Sequence, residues 1–317
     1  METGIVFGPV PSRRLGRSLG INNIPPKTCT YSCAYCQLGR TTNLTMERQS
    51  FYEPQAIFQS VKGKLAELTS RNEKIDYFTF VPDGEPTLDL NLGRAISLLK
   101  QIKIPVAVLT NASLIWQEDV KEDLLKADLV SFKIDAISEE LWNKVDRPHK
   151  DLKLDLILKG IKEFSEVFLG KIITETMLID EIDYSKEFPK IAAFLKSLKN
   201  LDKAYIAIPT RPPAEKWVRP AEEKIINHAF QVFSEALGAG KVEYLIGYEG
   251  NAFSFTGKIE EDLLSIMSVH PMRQEAVLEL LRKAHSDWHL IERLLEKNKI
   301  VGLEYQGNKY YMRRLRK

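Results

Sequence analysis

Seven short apolar runs recur along this chain, with helical segments between them, and few folds accommodate that alternation. The runs are 18–22 (SLGIN), 75–81 (IDYFTFV), 105–111 (PVAVLTN), 128–135 (DLVSFKID), 171–179 (KIITETMLI), 203–209 (KAYIAIP) and 241–247 (KVEYLIG). Helical periodicity fills 53–70, 90–102, 117–127, 138–145, 151–168, 185–199 and 220–237. Strands that alternate with helices at this spacing pair in parallel through right-handed crossovers. Six or seven such units predict an α/β fold, a partial or complete TIM-type (β/α) barrel. In that architecture the chemistry sits at the C-terminal ends of the strands.

Beyond about residue 258 the pattern changes. Helices are expected at 259–268, 272–284 and 287–298, followed by two short strands about Gln306, Gly307 and Asn308. Three helices and a hairpin resemble a winged helix. The expected division is a barrel over 1–250 and a small winged-helix-like domain over 258–317.

A length of 317 residues suffices for a large domain and a small one. A net charge of +2 is too small by itself to argue for a nucleic-acid or membrane partner. No apolar run reaches the ~18 residues of a membrane helix. The start, METGIVFGPVPSRRLG, lacks the basic opening, apolar core and cleavage site of a signal peptide. The protein is expected to be cytoplasmic, with no membrane partner. In a reducing compartment, clustered cysteines read as metal ligands or redox groups rather than as disulfides.

All three cysteines lie in one stretch, CTYSCAYC, residues 29–36. The spacing is C-x3-C-x2-C. A structural zinc ion normally takes four Cys or His ligands, and the nearest histidine in sequence is His149. A redox pair in CAYC leaves the third cysteine unexplained. The remaining reading is an iron–sulfur cluster with three protein ligands. A cubane has four irons, so three thiolates leave one open to a substrate.

This stretch, with Tyr35 before the last cysteine, resembles the signature of radical S-adenosylmethionine (SAM) enzymes. The resemblance spans roughly residues 5–250. FGPVPSRRLG, VPDGEPTL and RPH are similar to the branch that holds wyosine-type tRNA-modifying enzymes and related iron–sulfur oxidoreductases. Wyosine-synthesising members carry further cysteines or an attached flavin domain, and this sequence has neither. The resemblance implies a 4Fe-4S cluster on Cys29, Cys33 and Cys36, with SAM chelating the open iron through its amino and carboxylate groups. It implies that one electron cleaves SAM to methionine and a 5′-deoxyadenosyl radical, which abstracts hydrogen from a substrate. An external one-electron reductant, of flavodoxin or ferredoxin type, is then a required partner.

The resemblance also implies cofactor contacts. Gly84 and Glu85 match the family's Gly-Gly-Glu motif, with Asp83 in place of the first glycine. That motif meets the methionine amino group, mainly through backbone acceptors and the acid. Thr110 and Asn111 resemble the polar pair that meets the SAM carboxylate and ribose, although Asn111 or Ser113 could equally cap the next helix. Tyr35 is expected to flank the adenine. Ser131, Lys133 and Asp135 alternate, so one strand face carries all three. They suit a bound zwitterion or an internal Lys133–Asp135 pair. Glu175 is expected near SAM or substrate, or paired with Lys133.

Substrate clues are arginines in loops: Arg13, Arg14 and Arg17, Arg147 in RPH, and Arg211 in TRPP. Their planar forks suit carboxylates and phosphates. Near them, His149 is a candidate for proton transfer or a structural histidine. The basic end, RRLRK, favours phosphate contact. The helix DWHLIERLLEKN mixes Glu292 and Glu296 with Arg293 and Lys297, as a solvated face does. The expected activity is radical SAM chemistry on RNA. Alternatives are a protein, peptide or small-metabolite substrate, as for an activase, or a redox-sensing iron–sulfur regulator.

Overall fold

Apolar strands flanked by amphipathic helices bury both faces of a sheet, and that is how this chain folds. The structure is a computed structural model and describes residues 4–247, 250–251 and 253–314. An antiparallel hairpin, β1 (Val6–Ser12) and β2 (Gly16–Ile21), opens the sheet. The cysteine loop follows, with two-residue strands β3 (Thr28–Cys29) and β4 (Asn43–Leu44). Then come α1 (Pro54–Thr69), β5 (Tyr77–Phe80), α2 (Leu92–Leu99), β6 (Val106–Thr110), α3 (Glu118–Leu124) and β7 (Leu129–Lys133). They are followed by α4 (Glu139–Val145), α5 (Leu154–Val167), β8 (Lys171–Met177), α6 (Glu187–Ser197), β9 (Leu201–Ala207), α7 (Glu223–Leu237) and β10 (Val242–Leu245).

The sheet order is β1-β2-β5-β6-β7-β8-β9-β10, with β2 and β5–β10 parallel. Its two ends do not pair, so the barrel is partial rather than complete. Phe78, Phe80, Val106, Val108, Val130 and Phe132 meet the helices through Ile57, Val61, Ile96, Leu124, Ile161 and Phe164. The concave face is filled at its lower end by Leu15, Ala107, Leu129, Ile173, Tyr205 and Leu245. The polar side chains Ser131, Lys133 and Glu175 stand nearer the strands' C-terminal ends. Among the described residues no helix is long and apolar enough to cross a membrane.

The structure departs from the sequence reading in three places. β1 is an added strand, because its Pro9 and Pro11 mimic a loop; at a sheet edge, prolines cost few ladder hydrogen bonds. Strand β7 ends at Lys133, two residues before Asp135, which changes where that carboxylate lies. Met272 and Arg273 form a strand, β11, rather than the start of a helix, because they pair with Tyr311 and Tyr310.

The C-terminal elements are α8 (Ile259–Val269), β11 (Met272–Arg273), α9 (Gln274–Lys283), α10 (His289–Glu296), β12 (Ile300–Tyr305) and β13 (Asn308–Arg313). Their sheet runs β11-β13-β12 over a separate core of Phe253, Leu263, Ile266, Met267, Leu280, Ile291 and Leu294. Val10 of β1 packs against that core, and Lys64 Nζ of α1 donates to Asp262 Oδ1 at 2.9 Å. Of the basic RRLRK end, residues 315–317 lie outside the described residues.

One glycine fixes the sheet against the cysteine loop. Gly84 has φ +154°, and an alanine Cβ there would lie 1.8 Å from the Thr28 carbonyl oxygen. Gly84 bridges Thr28, and the Glu85 N–H donates to that same carbonyl at 3.1 Å. Gly84→Ala should lower stability by about 3 kcal/mol or more, the range of backbone strain joined to overpacking. Denaturant unfolding of the two proteins checks this.

Candidate active site

The loop from β2 to α1 lies over the C-terminal ends of β5, β6 and β7, and its backbone is tied down residue by residue. The Ser32 N–H donates to Arg147 O at 3.1 Å, Ala34 N–H to Val145 O at 2.8 Å, and Glu215 N–H to Ala34 O at 3.0 Å. Cys29 Sγ accepts from the Tyr31 N–H at 3.5 Å and from Asn111 Nδ2 at 3.7 Å. The Cys33 thiol donates to Asp146 Oδ1 at 3.6 Å. Each cysteine is half-buried. Burial raises all three thiol pKa values, and nearby carboxylates add to this, Glu85 at Cys29 and Asp146 at Cys33. Lys27 partly offsets it at Cys36. Thiolates here would require a compensating cationic centre.

All three cysteines wall a cavity of about 320 Å³, together with Tyr35, Gly84, Glu85, Thr110, Asn111, Ser131 and Lys133. Glu85 joins the strand ends beneath it. Its Oε1 accepts from the Thr87 N–H at 3.0 Å, Thr87 Oγ1 at 2.7 Å and Thr110 Oγ1 at 2.6 Å. Its Oε2 accepts from the Asn111 N–H at 2.8 Å. Burial raises its pKa, against those donors. Asn111 makes a cap-like turn and also lines the cavity. Its Oδ1 accepts from the Ser113 N–H at 3.0 Å in a cap-like turn, while its Nδ2 reaches Thr30 Oγ1 at 2.8 Å and Cys29.

The floor is an ion network. Lys133 and Glu175 are register partners on β7 and β8, and Lys133 Nζ donates to Glu175 Oε1 at 2.8 Å. Arg14 Nη1 donates to Glu175 Oε2 at 2.5 Å and approaches Ser131 Oγ at 3.5 Å. Burial alone would raise the Glu175 pKa, but Lys133 and Arg14 outweigh it and hold the carboxyl at about 2. Lys133 also lies 4.8 Å from the centre of the Tyr35 ring.

Asp135 does not share the cavity with Ser131 and Lys133. Because the strand has ended, its carboxylate turns beneath the floor, accepting from Tyr35 Oη and from the Met177 N–H at 2.6 Å. It lies 3.5 Å from Lys133. Tyr35 thus presents its ring to the cavity and its hydroxyl to Asp135. Asp146, beside Asp135, is held well above the ordinary carboxylate range by burial and then by that neighbouring charge.

Arg13, Arg14 and Arg211 line the cavity, whereas Arg147 and Arg17 do not. Arg147 instead braces the cysteine loop, donating to Ser32 O at 2.5 Å and Glu215 Oε1 at 2.6 Å. Arg17 pairs with Glu73 and with Ser254 Oγ at 2.7 Å. His149 stays outside, its ring 3.6 Å from Asp151. Arg211 Nη1 donates to Gln37 Oε1 at 2.6 Å, and its Nη2 lies 3.2 Å from His270 Nε2. Sequence reasoning missed Lys27, Asp146, Gln37 and His270. Adjacency to the cysteines marks Lys27 and Gln37, and adjacency to RPH marks Asp146; nothing local marks His270.

The family model described as the Radical SAM superfamily matches residues 23–195. The chain belongs to the radical SAM superfamily. Its relatives include a UPF0026 protein of Methanocaldococcus jannaschii, 49% identical over 313 residues, covering 98% of this chain and 97% of that one. The chain therefore belongs to the UPF0026 family as well. A UPF0026 protein of Helicobacter pylori is 33% identical over 228 residues, 70% of this chain and 72% of that one. A radical SAM methyltransferase from Sphaerobacter thermophilus shares the fold, with a TM-score of 0.54 at 15% identity over 72% of this chain and 66% of that one. The superfamily implies a 4Fe-4S cluster and SAM, and enzymes of this kind generally take their electron from an external donor. As a radical SAM enzyme, this protein places Cys29, Cys33, Cys36, Gly84, Glu85, Thr110 and Asn111 around one cavity.

The ion network makes a pH-dependent prediction. Glu175 titrates well below its ordinary 4.5, so its contribution is complete above that value and is lost as pH falls toward 2. Glu175→Gln leaves Arg14 without its buried carboxylate and Lys133 with Asp135 alone, and should cost about 3 kcal/mol at pH 7. The difference from the unmodified protein should shrink as pH falls through that window. Denaturant titrations at a series of pH values measure it.

Proposed function

We propose that the protein cleaves SAM reductively at a cluster held by Cys29, Cys33 and Cys36 and uses the product radical on an anionic substrate, RNA by preference. The observation that carries this reading is the one cavity that all three cysteines share with a cationic wall. Arg13, Arg14, Lys27, Lys133 and Arg211 stand there against Asp83, Glu85 and Glu175, a surplus of positive charge. Phosphate or carboxylate groups match that surplus.

The donor set fits the cluster. Among the described residues no three His, Cys, Asp or Glu side chains are gathered so as to hold a single metal ion. A cubane takes each thiolate at a different iron, so three thiols spread around one cavity suit it better than they suit zinc. When bound, the cluster supplies one electron to split SAM into methionine and a 5′-deoxyadenosyl radical. The chain's own residues would then orient the cofactor. Glu85 holds Thr110 and Asn111 in place, Tyr35 offers a ring face for adenine, and Arg14, Ser131 and Lys133 face the substrate's anion. The electron would come from an external carrier of flavodoxin or ferredoxin type.

The division into a core over 1–250 and a domain over 258–317 belongs to this reading. The order α8-β11-α9-α10-β12-β13 supports the winged-helix reading of this unit. It sits at the cavity's rim, where Tyr310 Oη donates to Thr210 O at 2.8 Å and Gln37 Nε2 to Val269 O at 3.1 Å. A nucleic acid gripped there would lie beside the cysteine loop. Glu292 and Glu296 on the exposed side of α10 favour a second reading, in which the unit docks a protein or peptide substrate. A redox-sensing regulator would need no such cavity.

Anaerobic reconstitution should yield about four irons per chain, and dithionite should then drive conversion of SAM to 5′-deoxyadenosine. Cys33→Ala should abolish that conversion while the far-ultraviolet circular dichroism stays unchanged. A fully loaded protein that leaves SAM intact would sink the reading. For the substrate, nucleosides of tRNA from cells with and without the gene are compared. A missing modified nucleoside supports RNA, and an unchanged profile transfers the proposal to a protein or peptide.

A further inference from the structure

Beside the cysteines, Asp83 and the Nζ atom of Lys27 are shielded from solvent and lack what buried charges need. Lys27 Nζ and Asp83 Oδ2 each have no hydrogen-bond partner. They belong to one pair, with Lys27 Nζ 3.9 Å from Asp83 Oδ1, too long for a hydrogen bond between them. Asp83 is 2% exposed, and both residues wall the same cavity as Cys29, Cys33 and Cys36. An ammonium and a carboxylate left so incompletely satisfied away from water are expensive to hold. The backbone nevertheless fixes them. The Lys27 N–H donates to Asp83 O at 2.7 Å, and Lys27 O accepts from the Thr42 and Asn43 N–H groups at 3.3 and 3.0 Å.

Part of the acceptor capacity that the family motif offers to an amino group is already engaged here. The Asp83 carbonyl is taken by Lys27, and Glu85 accepts four hydrogen bonds, about the capacity of a carboxylate. A further acceptor is a side chain that a glycine at position 83 could not supply. The orphaned pair asks for a ligand that presents a donor to Asp83 and an acceptor to Lys27 a few ångströms apart. An α-amino-carboxylate carries its two charged groups on one carbon and meets that demand.

We propose that Asp83 and Lys27 form a side-chain clamp for the methionyl end of SAM, Asp83 Oδ2 accepting from its amino group and Lys27 Nζ donating to its carboxylate. This clamp adds to the motif's backbone contact and rests on the reading of the protein as a SAM-cleaving enzyme. Each side chain then gains, when SAM binds, the hydrogen bond that it lacks before, which ties the stability of this wall to its cofactor. Each contact is a charge-assisted hydrogen bond, the strong class in a site shielded from water.

The test measures equilibrium binding to anaerobically reconstituted protein whose iron and sulfide content has been matched between variants. The probes are SAM, decarboxylated SAM, which lacks the carboxylate, and 5′-methylthioadenosine, which lacks both groups. Asp83→Asn should weaken SAM and decarboxylated SAM about tenfold or more and leave 5′-methylthioadenosine unchanged. Lys27→Met should weaken SAM about tenfold and leave the other two unchanged. Lys27→Arg, which keeps the charge, should bind SAM within about threefold of the unmodified protein. The clamp is overturned if fully loaded variants bind SAM as tightly as the unmodified protein. It is equally overturned if all three ligands weaken in parallel, the sign of a collapsed wall. Failure of the unmodified, loaded protein to bind SAM would instead refute the enzymatic reading on which the clamp rests.

Discussion

The carboxylate of Glu85 is the point on which the site depends. It is buried, and it gathers donors from three places: the turn after its own strand, the end of β6, and the first residue beyond that end. Its backbone N–H meanwhile holds Thr28, next to the first cysteine. A buried carboxylate with four donors is stable only while every donor stays in place. Two strand ends and the cysteine loop are therefore fixed relative to one another by one side chain. The conformation of Gly84 permits this, because any larger residue would hold the loop away from the sheet.

Around that anchor the charges form two groups. Arg14, Lys133 and Glu175 satisfy one another across β7, β8 and the N-terminal hairpin. Asp135 and Asp146 lie below, linked through Tyr35 to the loop that carries the cysteines. The first group lends the cavity a net positive wall. The second places acid behind Cys33, where it disfavours a bare thiolate. A protein that carries both side by side is built for a centre that brings its own positive charge.

Much of this was legible because the signals are local. Seven apolar runs gave the parallel strands, and three clustered cysteines gave the centre of the site. Lys133 and Glu175 could be put in one cavity because each alternates along its own strand. What stayed hidden depends on contacts distant in sequence. The strand of Pro9 and Pro11 exists because β2 and the C-terminal unit lie on either side of it. The displacement of Asp135 follows from a strand two residues shorter than its alternating pattern. Arg147 resembled a substrate ligand in sequence, and its engagement with Glu215, 68 residues away, could not be read there. The Lys27–Asp83 pair joins a loop residue with φ +63° to a strand end, a juxtaposition that no periodicity encodes.

The packing of α8 against β1 has a consequence for the evolution of the chain. β1 is the edge of the large sheet, and an uncovered edge is a template for the strand of another molecule. The last sixty or so residues thus act as a guard for the first dozen, whatever they bind. A lineage that lost them would have to shorten, charge or rebuild the hairpin at the opposite end of its sequence. The hairpin and the C-terminal unit are consequently under a shared constraint, and substitutions at Val10 should be tolerated only in step with those at Ile259 and Leu264, which pack on the same core.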